Sequence, residues 1–339
     1  MGKKGSTPAI APESETPLHF RLGTLEIALS TNSPLVGRFA RQFLNDWISQ
    51  TGEPAGAADI QIYLELVETL PPRPDQEPIF AGSGRHLPDG VGTLSVYEQP
   101  AGFLLHFQHG GLVQIEPESR ERLIQGFVTT RLLQYGRLHD LLFTTLSPFL
   151  RRQGYYLIHA AAAVDQAEAA LFAGPPACGK STTVLNLSLN NWEVLSNDTL
   201  LLEERPDGVY ALPTPGGFSI RPESISHLPA LAAHLPQPPL EHFYHLSLPK
   251  LGLKWAEPAR ISTIYFPEIS DGQENEWFPQ PPSIALARLI EFSLDRWDTT
   301  HLSAHISFLE QLSRQAQAVS LKIANQQQLP ALLKNAKRK

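Results

Sequence analysis

The sequence predicts an α/β protein, α+β overall, in which a smaller N-terminal α+β domain precedes a domain built round a phosphate-binding loop. Three observations predict this. Short segments with apolar residues at alternate positions recur through the first third of the chain, separated by turn residues. YYLIHAAAAV and AALFA, further on, are wholly apolar and flank the turn Asp165-Gln166-Ala167-Glu168, as buried strands do. GPPACGKS follows the second of them directly, and TTVLNLSL then carries apolar residues at helical spacing.

The elements follow in order. Residues 1–17 are rich in Pro, Ser and Glu and read as a disordered tail, in which Gly2 and Ser6 also fit an N-myristoylation pattern. Residues 18–116 form the N-terminal α+β domain: one strand over 19–30, and a helix capped by Ser33 with Pro34 at its first position, running to about Gln50. Then come a strand from Ala58, a Pro-rich loop, and short antiparallel strands in TLSVYE, GFLLHFQ and GLVQIE, with turns at Pro88-Asp89-Gly90 and His109-Gly110-Gly111. Residues 117–150 show helical apolar spacing broken by Gly136 and Pro148, so two or three helices are expected to bridge to the domain at 151–339. There ARISTIYFPEIS and AVSLKI read as strands. SIALARLIEFSLDRW, HLSAHISFLEQLSRQAQ and LPALLKNA read as helices.

Composition removes several classes. Of 339 residues 42% are hydrophobic and 18% charged, which supports a sizeable core and argues against wholesale disorder. With 27 basic against 34 acidic residues the net charge is −7, and no basic patch precedes Lys337-Arg338-Lys339, so nucleic acid is not an expected partner. No apolar run is long enough for a membrane span, and the N-terminus has no signal-peptide core. A single cysteine permits no intrachain disulfide and suggests a reducing compartment, so a cytoplasmic location is expected.

GPPACGKS, residues 174–181, fits G-x-x-x-x-G-K-[ST]. Gly174 and Gly179 let the backbone approach phosphate oxygens, with Pro175, Pro176, Ala177 and Cys178 between them supplying main-chain groups. Lys180 would reach the β- and γ-phosphates, Ser181 would ligate Mg²⁺, and Thr182 continues the helix whose positive dipole end faces the anion. Lys180 is the only lysine between Lys4 and Lys250; arginine is the basic residue used elsewhere in that stretch. Cys178 reads as filler rather than a nucleophile, because no base is placed beside it.

Phosphoryl transfer needs a carboxylate for the metal and a group to orient or deprotonate the attacking hydroxyl. Val194-Leu195 reads as a short strand ending in Ser196-Asn197-Asp198, which offers Asp198 as the carboxylate. His159, in YYLIHAAAAV, sits 21 residues before Lys180, and a strand–turn–strand would carry it towards the loop; a satisfied core histidine is the alternative. Arg221, Lys250 and Lys254 are candidates for phosphate contacts or plain surface charge. His242 and His245 lack the partners that a zinc site needs.

His159, the interval to Lys180, and the Asn197-Asp198 pair together resemble the catalytic domain of the HPr kinase/phosphorylase family. HAAAAV, LFAGPPACGKSTTVLNL and LSNDTLLL look most like the HPr-kinase-related proteins of bacterial biosynthetic clusters, and PTPGGFSIRPES and IYFPE fit that look. The resemblance implies a phosphoenolpyruvate-carboxykinase-like P-loop fold over 151–339. It also implies ATP and Mg²⁺ as cofactors and phosphorylation of a serine hydroxyl on a protein or peptide. By it His159, Lys180, Asn197 and Asp198 would be catalytic, and Ser181 and Asp198 would hold the metal. Two features depart from the family. Its first Asp of the acidic pair, the base, is Asn197 here, which accepts no proton at neutral pH. Either Asp198 serves both metal and hydroxyl, or His159 helps, or transfer is slow or lost. The Gly-rich signature of the bifunctional enzymes is missing, which favours a kinase without phosphorolysis. The expected partners are the serine-bearing substrate and further copies of the chain in a homo-oligomer, with no membrane. A nucleotide-binding module without transfer chemistry and a kinase for free serine or a metabolite remain open.

Overall fold

A computed structural model describes residues 16–44, 47–48, 57–82, 94–220, 222–228, 231, 235 and 244–336. They form a mixed α/β structure with two large sheets, a two-stranded ribbon and seven α-helices among the described residues. Residues 1–15 of the expected tail, the turn at residues 88–90, His242, Arg221 and the basic residues 337–339 lie outside them.

The first sheet contains β1 (Leu18–Leu22), β2 (Leu25–Thr31), β3 (Ile60–Leu66), β4 (Phe80–Gly82), β5 (Leu94–Gln99), β6 (Gly102–Phe107), β7 (Gly111–Ile115) and β8 (Leu123–Val128). Their spatial order is β1-β2-β3-β8-β7-β6-β5-β4. The segment expected as one strand over 19–30 is a hairpin, turned at Gly23–Thr24. The sheet is mixed rather than antiparallel, because β3 pairs parallel with both β2 and β8. Residues 123–128 are therefore strand, not bridging helix. Gly126 lies where an added Cβ would come within 2.7 Å of the Leu112 carbonyl oxygen on β7, so β8 seats only without a side chain there.

Helix α1 (Pro34–Leu44) is shorter than expected, and its first turn is held by Leu35 N–H donating to Ser33 Oγ at 3.3 Å. Helices α2 (Thr130–Gln134) and α3 (Leu138–Arg151) follow β8, separated at Gly136 as expected. Pro148 lies inside α3 without ending it; in the last turn it deprives the Thr144 carbonyl of its helical N–H donor. One apolar cluster runs from the first sheet through α1 and α3 to Tyr155, Leu157, Leu201, Leu294 and Trp297, joining the two halves of the chain.

The second sheet takes β9 (Tyr155–Asp165), β10 (Glu168–Ala173), β11 (Glu193–Ser196), β12 (Thr199–Arg205), β13 (Gly208–Leu212), β16 (Ala259–Ile269), β17 (Glu276–Gln280) and β18 (Gln317–Ile323). The ribbon is β14 (Phe218–Ile220) with β15 (Tyr244–Leu246). Strand β16 pairs parallel with β10 and antiparallel with β13, so β16, β10, β9, β12 and β13 close into a ring. Helices α4 (Lys180–Ser188) and α7 (Leu329–Ala336) cover one face; α5 (Pro282–Glu291) and α6 (Leu302–Gln315) cover the other. The alternation of β9 explains its composition. Ala160 and Ala162 enter the α5–α6 core and Ala161 and Ala163 the α4 core, so both faces are buried and only small side chains fit. Strand β17, read from sequence as loop, lies at the sheet edge, the place where its Pro279 is tolerated. Among the described residues no helix is long and apolar enough to cross a membrane.

Candidate functional site

Register alone brings the predicted residues together. In the β9–β10 hairpin Ala173 pairs with Ala160, so the next residue of the loop, Gly174, starts beside His159. On the other flank of β9, Thr199 of β12 pairs directly with His159, which sets Asp198 one residue from it. By the two-residue period His159 shares the face of Ala161 and Ala163, which is the α4 face. The loop, His159 and the Asn197-Asp198 pair thus converge at one end of the sheet. His159 Nδ1 lies 3.4 Å from Asp198 Oδ1.

The loop runs from β10 into α4. Gly179, the N-cap of α4, adopts φ +98°, a left-handed conformation that other residues rarely hold, and an added Cβ would press on Ile269 Cδ1 at 3.0 Å. Lys180 is buried, and its Nζ donates to the carbonyls of Gly174 at 2.8 Å and Pro175 at 3.0 Å, folding the loop round its own cation. Ser181 and Thr182 are half-buried on the first turn, where backbone N–H groups have no intrahelical acceptor. Pro175 and Ala177 are exposed and Pro176 half-buried. Cys178 packs over Gly174, whose added Cβ would lie 2.7 Å from its Sγ; burial pushes the thiol up despite the charge of Lys180, which suits a packing residue rather than a nucleophile. Behind α4, Gln326 meets Thr183 through their side chains, and its carbonyl accepts from Asn186 Nδ2.

Ser196 shapes the acidic turn: its Oγ donates to the Thr199 carbonyl at 2.6 Å and accepts from Asp198 N–H at 3.3 Å. Asn197 Nδ2 donates to the Gly217 carbonyl at 3.0 Å, tying the turn to the segment before β14, while its Oδ1 is buried and accepts no hydrogen bond. Burial opposes the charge of Asp198, but His159, His139, Lys180 and Arg137 outweigh it and hold its carboxyl below the usual carboxylate range. An ionised carboxylate and the Ser181 hydroxyl are oxygen donors of the kind that a hard divalent cation takes.

Two of those positive groups come from a segment expected only to connect the two domains. Arg137 is the N-cap of α3, and His139 and Asp140 lie in its first turn. Asp140 is fully buried and pairs through Oδ2 with Arg137 Nη1 at 3.3 Å. His139 Nε2 lies 2.9 Å from Asp140 Oδ1. Burial disfavours charge on His139, yet Asp140 and Asp198 outweigh it and hold the imidazole above its ordinary value. A His-Asp dipeptide just after a glycine break was the available signal; nothing in the sequence says that this helix end meets residue 198. Of the remaining candidates, Lys250 and Lys254 are exposed, and His245 lies in β15.

No protein-family model matches the chain. Nor does any curated protein match it by sequence. Among solved structures it is similar to the Hpr(Ser) kinase/phosphatase from Coxiella burnetii, with a TM-score of 0.30 and 12% identity over 54% of this chain and 93% of that one. A superposition that loose decides nothing about chemistry, so the functional reading rests on the site itself.

Chemically, the site offers a loop folded round a lysine cation, an ionised carboxylate, and an imidazole against that carboxylate. The one thiol is buried and its pKa raised, so it is not poised as a nucleophile.

Proposed function

We propose that this chain is an ATP-dependent, Mg²⁺-assisted kinase that phosphorylates a hydroxyl, that of a serine, on a protein or peptide, and that works in the forward direction only. The single observation that carries the reading is the loop of residues 174–181 opening onto His159 and Asp198 with their side chains 3.4 Å apart. ATP and Mg²⁺, when bound, supply the transferable phosphoryl group and its charge neutralisation. Gly174 to Thr182 would hold the phosphates through backbone N–H groups, and Ser181 and Asp198 would hold the metal. Lys180 would exchange its two loop carbonyls for phosphate oxygens and stabilise charge as it spreads over them.

Asn197 takes no proton, so the acceptor hydroxyl must give its proton to Asp198 or His159. A loose transition state asks little of a base; positioning and charge stabilisation contribute more to the rate. The test is transfer of labelled γ-phosphate from ATP to serine-bearing acceptor peptides and proteins, in wild type and Asp198→Asn. Transfer in wild type that drops by about 10²-fold in the variant supports the reading. Equal transfer in both removes Asp198 from it.

A second reading is favoured by the tie from Asn197 to Gly217: a protein that binds nucleotide and uses it to regulate a partner. Tight ATP binding with no transfer to any acceptor would establish that reading in place of the first.

A further inference from the structure

We infer that Ile269 is the platform for the nucleotide base, with the nucleoside lying over the carboxyl ends of β16 and β18. This subsite rests on the nucleotide reading of the loop and sets the preference for a nucleotide over a bare polyphosphate. Its direction follows from the strand order. Strand β10 delivers the loop between two neighbours, β9 on one flank and β16 on the other. The transferable phosphate must reach Asp198, which lies beside His159 on the β9 flank. The rest of the nucleotide then leaves the loop towards β16 and β18. Both strands run parallel to β10, so all three end at the same edge, the edge at which parallel sheets bind ligands.

Three observations on that flank fit a nucleoside. Ile269, the last residue of β16, is 53% exposed, although it shares the α4 face with Tyr265 and pairs with the buried Ile323. An added Cβ on Gly179 would lie 3.0 Å from Ile269 Cδ1, so this open apolar surface stands directly against the N-cap of α4. The second observation is charge. On the His159 flank Lys180, His139 and Arg137 act on Asp198, a setting that suits phosphate. On the β16 flank Glu268, Asp271, Glu274 and Glu276 are exposed and residues 268–276 contain no basic residue, while Lys322 is paired with Glu276 at 3.5 Å. Such a turn repels phosphate and accepts hydrogen bonds from hydroxyls, as the ribose end of a nucleotide requires. The third is a preformed wall. Ser270 N–H donates to the Ile323 carbonyl at 2.9 Å, which brings the turn after β18 alongside Ile269. Asn275 holds that turn: its Oδ1 accepts from the N–H groups of Ala324 at 2.9 Å and Asn325 at 2.8 Å, and its Nδ2 donates to the Asn325 carbonyl at 2.8 Å. A turn so fixed costs little further ordering when a ligand binds.

Calorimetric titration of Mg·ATP and of tripolyphosphate into the full-length wild type, Ile269→Ala, Ile269→Met and Lys180→Ala tests the subsite. Ile269→Ala should lower ATP affinity by about threefold or more and leave tripolyphosphate affinity unchanged, because the lost surface meets only the base. Ile269→Met keeps an apolar surface and should stay within about twofold of wild type for both ligands. Lys180→Ala should weaken both. Wild type that binds ATP but not tripolyphosphate would itself support a nucleoside subsite, and the ATP affinity of Ile269→Ala then decides whether Ile269 belongs to it. Equal ATP affinity in wild type and Ile269→Ala, with the loss in Lys180→Ala retained, would overturn the subsite and leave the loop assignment standing. A parallel loss of tripolyphosphate in Ile269→Ala would also overturn it, since Ile269 would then be shaping the loop. No binding of either ligand by wild type would remove the nucleotide reading and the subsite with it.

Discussion

His159 and Asp198 face each other across 3.4 Å because Thr199 is the residue that pairs with His159 in the sheet. A shift of one residue in the β9–β12 register would turn Asp198 to the opposite face and leave the loop without its carboxylate. The arrangement is thus a property of strand pairing, and the Ser196 hydroxyl, bonded at both ends of the turn, is what presents Asp198 there.

Asn197 and Asp198 should respond differently to substitution. Asn197→Asp removes the donor that reaches Gly217 and sets a carboxylate against a carbonyl, so we expect a loss of about 1–3 kcal/mol in urea unfolding and no gain in transfer rate. Asn197→Ala should keep transfer within about tenfold of wild type, since the amide accepts no proton, whereas Asp198→Asn should lose about 10²-fold. Steady-state kinetics on the three variants checks the order.

Helix α3 is anchored at the end remote from His139. Arg151 pairs with Asp295 at 3.2 Å and with Asp298 at 3.0 Å, all three deeply buried, and the half-buried Arg152 pairs with Asp298 at 2.6 Å. Asp298→Ala leaves two guanidinium groups without their shared carboxylate and should cost about 3–5 kcal/mol. Denaturant unfolding measures it, and a cost under about 1 kcal/mol would mean that the network carries no structural weight.

The same region sets an acid limb. Burial, and then the charge of Arg151, push His305 down to about 3 from its ordinary 6.5. The folded protein therefore holds this ring neutral while the unfolded chain takes up a proton, so stability is full above the unfolded value and declines as pH falls below it towards 3. Between pH 7 and pH 5 this group should remove roughly 2 kcal/mol. His305→Gln, which keeps an acceptor for Arg151 and a partner for Ser293, should flatten that slope by a similar amount. An unchanged pH profile would show that His305 does not titrate on unfolding.

The parts of the molecule legible in its sequence are those where one local signal dominates. The alanine-rich β9, the apolar β10 and the glycine-lysine loop each needed no partner to be read, and the turn between Asp165 and Glu168 fixed the pairing that carries His159 to the loop. Elements whose identity depends on a neighbour were misread. LIQGFV became β8 because it fits between β3 and β7, with Gly126 allowing the close approach; apolar residues spaced for a helix could not reveal that. His139 and Asp140 escaped for the same reason. Their importance arises from where α3 begins in space, and Asp198 is remote from them along the chain.

A nucleotide site at residues 174–182 is the central claim, and equilibrium titration of Mg·ATP into wild type and Lys180→Ala tests it. The hydrogen bonds that Lys180 Nζ donates go to main-chain carbonyls of its own loop, so the variant should fold, with an unchanged far-ultraviolet spectrum as control. We predict saturable binding of one nucleotide per wild-type chain and an affinity at least tenfold lower in the variant. Equal affinity in the two proteins, or no binding by wild type, would contradict the assignment.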